Sequence, residues 1–192
     1  SMPWRGAAII ALSGWYGTLS VVRNRVWADE RGYQEEAARR NPHSKGLASL
    51  GVSLLEKGRQ NEGVVVLEEA ARLGPGLPEP PFHLGKVQWE AGDSARAESH
   101  FRRAAELSPM DPDTQVFLGL IAEKTGRPLE ALARYEKALA LRPGDTPAKY
   151  AYARLLLKTG KTRGAEPLLR EFLRLWPRDP AAPAARASLK GR

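Results

Sequence analysis

PDTQVFLGLIAEKTGRPLEALARYEKALALRPGD, residues 112–145, reads as two helices with a bend after each. Gln115, Leu118, Gly119 and Ala122 stand at i, i+3, i+4 and i+7, one face of a first helix. Gly126 follows and supplies the left-handed residue that ends a helix at little steric cost. Ala131, Tyr135 and Ala138, at i, i+4 and i+7, mark a second helix. Small residues at these places let the two helices cross closely, and the bulky one fills the space beside them. Pro143 stops the second helix, because proline lacks the donor and clashes with the preceding turn.

The same stretch recurs. Pro75, Pro109, Pro143 and Pro177 are 34 residues apart, and so are Gly58, Gly92, Gly126 and Gly160. Gly51, Gly85 and Gly119 continue as Ala153, and Leu50, Leu84 and Leu118 continue as Tyr152. Gly63 precedes Ala97, Ala131 and Ala165 in another column, and Ala70, Ala104 and Ala138 lead to Phe172. The register holds without insertion over four units, 44–77, 78–111, 112–145 and 146–179. A single helical hairpin leaves one apolar face bare, so such units must stack to bury it.

This pattern resembles the tetratricopeptide repeat (TPR) over residues 44–179. The resemblance implies an all-α fold, a right-handed solenoid of helical hairpins. Two columns depart from it. The usual aromatic at the fourth position is Leu47, Pro81, Gln115 and Lys149, and Phe172 stands where alanine is expected. Residues 180–192 are expected to form a basic tail or a short cap, with Ala185 to Leu189 tolerating helix.

Composition fits a chain that packs a core, with 42% apolar and 27% charged residues. Without cysteine there are no disulfides, zinc–thiolate sites or thiol catalysis. The net charge of +8 is concentrated at one end. Residues 146–192 hold 11 Lys/Arg against 3 Asp/Glu, whereas residues 1–145 hold 19 of each. Such asymmetry marks either a solvated basic cap or a surface for an acidic partner, an anionic membrane or nucleic acid. No aromatic-and-basic platform accompanies it, which disfavours nucleic acid.

No residue set argues for catalysis, a metal or a cofactor. Gly160, Lys161 and Thr162 spell the end of a phosphate-binding loop, but Leu155 stands where its first glycine belongs and no strand precedes it. His43, His83 and His100 lack partners at metal-ligand spacing. Glu35–Glu36 and Glu68–Glu69 are sequence neighbours, whose side chains diverge on a helix. The expectation is a protein that is not an enzyme.

In TPR arrays the first helices line a concave groove that holds extended or helical peptides; that is what the resemblance implies. The register places Ala48, Val52 and Leu55 there, then Phe82, Lys86 and Trp89, then Val116, Leu120 and Glu123, then Tyr150, Arg154 and Leu157. This set is mostly apolar. It suits an apolar or amphipathic helix anchored by Phe82, Trp89 and Tyr150, unless these side chains only fill the inner curve. Lys86 and Arg154 would add polar selectivity. Some TPR proteins clamp a terminal carboxylate with basic and amide groups. Ala48, Val52, His83, Asp113 and Phe117 occupy those places here, so that clamp is absent.

The run GAAIIALSGWYGTLSVV, residues 6–22, has no charge. As a helix it would be roughly 26 Å long, slightly short of a bilayer core, with Trp4 and Trp27 as interfacial anchors. In one reading it is an apolar N-terminal helix that tethers the chain to a membrane. In another it is half of a degenerate repeat, with Ala11 to Asn24 and Trp27 to Arg40 as its two helices. It would then pack on the first unit or enter the groove of a second copy, giving a homo-oligomer. A soluble cytoplasmic protein is the alternative localisation. Residues 21–42, VVRNRVWADERGYQEEAARRNP, resemble the junction after the last span of membrane proteins with C-terminal TPRs, the O-mannosyltransferase type and related glycosyltransferase-like proteins. That likeness implies an accessory domain of a larger membrane enzyme, with the native chain beginning upstream of Met2. The leading expectation is a protein-interaction scaffold with a peptide partner.

Overall fold

The computed structural model describes residues 43–163 and 165–190 of the chain. The expectations placed on residues 6–22 and 21–42 lie outside them. Among the described residues, regular structure is entirely helical. The helices are α1 (Ser44–Glu56), α2 (Gln60–Leu73), α3 (Glu79–Glu90), α4 (Ser94–Leu107), α5 (Pro112–Lys124), α6 (Pro128–Leu141), α7 (Thr146–Thr159), α8 (Glu166–Leu175) and α9 (Ala182–Lys190). None of these is long and apolar enough to cross a membrane.

The described residues divide into two compact units, one up to Leu77 and one from Pro78 onward. In the first, α1 and α2 form one hairpin. Gly51 and Gly63 face each other's helix so closely that a Cβ on either would collide with a leucine: Leu67 at 2.6 Å from Gly51, Leu55 at 2.7 Å from Gly63. Leu47, Leu50, Leu54, Leu67 and Ala70 are buried around that crossing.

The second unit holds the hairpins α3/α4, α5/α6 and α7/α8, followed by α9. Local chemistry sets the helix starts. Asp93, Asp111 and Asp145 accept the N–H of Arg96, Thr114 and Ala148 at 3.0, 2.9 and 2.8 Å, satisfying donors that have no partner inside the helix. Asp111, Asp145 and Asp179 form a further 34-residue column, and the last accepts the Ala181 N–H at 2.7 Å. Within each hairpin the turn is made by a glycine at positive φ: Gly58 at 76° in the first unit, Gly92, Gly126 and Gly160 at 84°, 77° and 70° in the second.

The hairpins close around one bulky side chain each. Phe101 and Tyr135 are fully buried, and they lie where Gly85 and Gly119 leave room on the facing helix. In the fourth unit Leu169 takes the place of Tyr135, and Ala153 takes that of Gly119. A smaller knob thus coincides with a facing residue that carries a Cβ. Phe172 is buried with Ala153, Leu169 and Ala185, so the large residue in the alanine column packs toward α9.

The fourth unit departs from the repeat at one place. Gly63, Ala97 and Ala131 each lie in the first turn of a second helix, whereas Ala165 is only the N-cap of α8. Pro167 is the cause. Its column holds Val65, Ser99 and Ala133, all well inside helices. A proline there would lose a ladder hydrogen bond and strike the preceding turn, at about 3 kcal/mol or more. The helix therefore starts late, with Pro167 in its first turn. Thr162 and Arg163 lie outside it, and α8 meets α7 over a smaller area than α6 meets α5.

Candidate functional site

The first helices of the second unit carry most of the residues assigned to a groove. Phe82, Lys86, Trp89, Val116, Leu120, Tyr150 and Leu157 are partly buried, and Arg154 is exposed. Phe82 meets Phe101 and Phe117 edge-on at 5.8 and 5.9 Å, while Phe101 and Phe117 stack at 4.7 Å. Trp89 joins the same cluster, with the Lys124 ammonium 4.8 Å from its ring. Leu120 packs on the cluster of Tyr135, Leu155 and Leu156. These side chains thus wall the core with one side and leave the other partly open. In the first unit Val52 is partly buried, and Leu55 leans on Gly63 at the hairpin's own crossing.

Tyr150 is held by four neighbours. Its ring stacks on Phe172 at 5.9 Å and meets Trp176 at 4.9 Å, and the Arg154 guanidinium lies 5.4 Å from its centre. Its hydroxyl donates to Asp179 at 2.6 Å. That bond holds the Asp179 carboxyl below the usual range, helped by the Ala181 N–H, and it raises the Tyr150 hydroxyl. Burial, with the nearby Glu123 carboxylate, likewise raises the Tyr135 hydroxyl, which donates to Glu123 at 3.4 Å. Both phenols remain protonated donors at neutral pH. The Gln115 amide is fully buried; its oxygen accepts from Arg134 at 3.2 Å, and its nitrogen has no partner among the described residues.

Two clefts in the second unit escaped the sequence reading. One, of about 250 Å³, lies beside Phe82 and is lined by Glu79, His83, Asp111, Asp113 and Thr114 among others. Arg142 holds Asp113 with two bonds, at 2.7 and 3.0 Å. His83 and Asp113 were the positions where a carboxylate clamp would need basic or amide groups; carboxylates dominate instead. The other cleft, of about 610 Å³, lies between α6, α7 and the start of α8. Asp111 in the first and Pro167 in the second were the legible signals, as columns that recur or change in the repeat. Among the described residues no group of His, Cys, Asp or Glu is arranged to hold a metal ion.

Sequence profiles of the tetratricopeptide repeat family match residues 82–146 and 120–189. No curated protein matches the sequence. Among solved structures, YrrB, described as a TPR protein with an unusual peptide-binding site, has a TM-score of 0.68 at 18% identity, over 83% of this chain and 84% of that one. MamA has a TM-score of 0.63 at 19% identity, over 88% of this chain and 93% of its own. The first TPR of Spaghetti (RPAP3), bound to an HSP90 peptide, has a TM-score of 0.57 at 19% identity, over 61% and 93%. At such identities the likeness establishes the fold.

Proposed function

Because the chain is a tetratricopeptide repeat protein, we propose that it serves as a non-enzymatic interaction scaffold whose first-helix face takes an apolar or amphipathic peptide segment of a partner protein. The observation that carries this reading is the row of side chains on α3, α5 and α7 that are packed on one side and open on the other. Phe82, Trp89, Leu120, Tyr150 and Leu157 supply apolar contact without first having to be ordered, since the core already fixes them, and the partly buried Val116 adds to the row. Lys86 and the exposed Arg154 stand beside that row. Two of the similar structures are described as peptide-binding, which supports the same kind of ligand. The cleft beside Phe82 bears Glu79, Asp111 and Asp113, so an acidic peptide end is disfavoured there. Val52 and Leu55, on the first unit, would offer an apolar contact of their own. Membrane tethering through residues 6–22, self-assembly through that segment, and an accessory role in a membrane glycosyltransferase rest on the sequence alone.

Capture of binding proteins from a lysate of the native host tests the scaffold reading. Trp89→Ala, Tyr150→Ala and the surface variant Arg154→Glu are expected to lose the captured partner while keeping wild-type helicity. Undiminished capture by all three would remove the first-helix face from the function.

A further inference from the structure

A cleft lies where α8 starts late against α6 and α7. The cleft between α6, α7 and α8 has an apolar lining that includes Leu129, Leu132, Leu156 and Leu168. Its volume, about 610 Å³, falls in the range of roughly 300–1,000 Å³ common to ligand sites. Leu129, at 62% exposed, is among the most open large apolar residues of the unit. The cleft is separate from the first-helix face. At about 100° per residue, Tyr152 and Leu156 lie roughly half a turn around α7 from Tyr150, Arg154 and Leu157.

Its charge is distinctive too. Lys161 and Arg163 line the cleft, and neither makes an ion pair among the described residues. The one carboxylate lining it, Glu136, accepts the Tyr152 hydroxyl. Lys158 and Arg170 are exposed nearby in sequence and also lack an ion pair among the described residues. By contrast, Arg127 is paired with Glu98 and Glu130, and Arg142 with Asp113 and Asp145. An apolar floor under uncommitted cations is complementary to one chemistry, a segment that carries aliphatic side chains and carboxylates together.

We propose that this cleft is a second docking site, which binds an acidic peptide segment with spaced leucine-like side chains. The aliphatic groups enter beside Leu129, Leu132 and Leu156, and the flanking carboxylates meet Lys161 and Arg163. Nucleic acid fits less well, because Glu136 repels phosphate and the single aromatic ring, Tyr152, is already engaged through its hydroxyl. A bilayer surface does not enter a recess between helices.

The experiment uses the full chain and a fluorescein-labelled peptide of about 16 residues, with leucines at i, i+3, i+4 and i+7 and glutamates elsewhere, read by fluorescence anisotropy. The wild type is expected to bind it. Lys161→Glu with Arg163→Glu, and separately Leu129→Ser, are expected to weaken binding at least about tenfold. Arg96→Glu, an exposed charge reversal on α4 outside both clefts and the first-helix row, is expected to change it less than about twofold. A peptide with serine for every leucine is expected to fail. Absence of binding to the wild type, equal binding of the serine peptide, or loss only with Arg154→Glu would each overturn the proposal. So would capture of phosphatidylglycerol vesicles or of an oligonucleotide through Lys161 and Arg163 when the peptide does not bind. Circular dichroism confirms folding of each variant, and the exposed position of Leu129 makes its replacement safe for the core. Failure here leaves the lysate test of the first-helix face standing, since the two sets of substitutions share only Arg154→Glu, which reports on that face in both.

Discussion

Hairpins α5/α6 and α7/α8 are two executions of one 34-residue plan, and they differ in how tightly they close. In the first, Gly119 lets the Tyr135 ring come so near that a Cβ would lie 2.5 Å from it, and Tyr135 is fully buried. In the second, Ala153 faces Leu169, α8 starts four residues later in register, and a cleft stands open. Their charges part as well. Arginines around the first are held in ion pairs across the repeat; in the second, Lys149 and Arg174 pair with Glu171, while Lys158, Lys161, Arg163 and Arg170 have no ion pair among the described residues. A repeat can thus keep its fold-defining columns and change its surface through the columns between them.

The largest expected effect tests the tighter closure. Tyr135→Ala removes a fully buried ring from between two helices, and large-to-small changes of that kind cost about 3–5 kcal/mol. Leu169→Ala, at the matching place in the looser hairpin, is expected to cost nearer about 2 kcal/mol. Urea denaturation followed by circular dichroism ranks the pair. Equal costs, or the reverse order, would break the contrast in closure.

A proline exchange comes next. Ala133→Pro puts the ring of Pro167 at the same register in α6, where the helix already runs; about 3 kcal/mol should be lost. Pro167→Ala does the reverse. It restores an amide donor and removes the clash, so α8 should start nearer 162, far-UV ellipticity should deepen by about one turn of helix, and the cleft should narrow. If ellipticity does not move, Pro167 is not what sets the start of α8.

Much of this architecture was legible because certain backbone states admit few residues. Gly58, Gly92, Gly126 and Gly160 could be read as bends, since a positive φ strongly favours glycine. The close crossings at Gly51, Gly85 and Gly119 were legible for the same kind of reason: nothing larger fits. Register also placed Phe82, Trp89 and Tyr150 on first helices. It did not say how much of each ring the core would cover, because Phe101, Phe117, Lys124 and Trp176 come to them from other elements by tertiary packing. The late start of α8 was written in one residue, Pro167. It was invisible to a search for what recurs, since its column is informative only where it changes.

The smallest expected effect concerns how the looser hairpin is finished off. Asp179 accepts the Tyr150 hydroxyl at 2.6 Å and the Ala181 N–H at 2.7 Å, which ties α7 to the start of α9. Its folded carboxyl titrates below the ordinary 3.8, so the tie is fully present above that pH and is lost as pH falls toward the lower, folded value. Tyr150 runs the other way. Its hydroxyl is raised above the ordinary 10.0, so the donor contributes below that pH and is lost as pH climbs through the raised value. The wild type should therefore exceed Asp179→Asn in Tm by a small, level margin between about pH 4 and 10, shrinking at both ends. Hairpin α5/α6 is continued by α7, which begins on the Asp145 cap, and has no such tyrosine–aspartate tie. A margin that stays flat below pH 4 would mean that α9 is held by Ala182 and Ala185 in the core alone, and that the charge on Asp179 contributes nothing to closing the last hairpin.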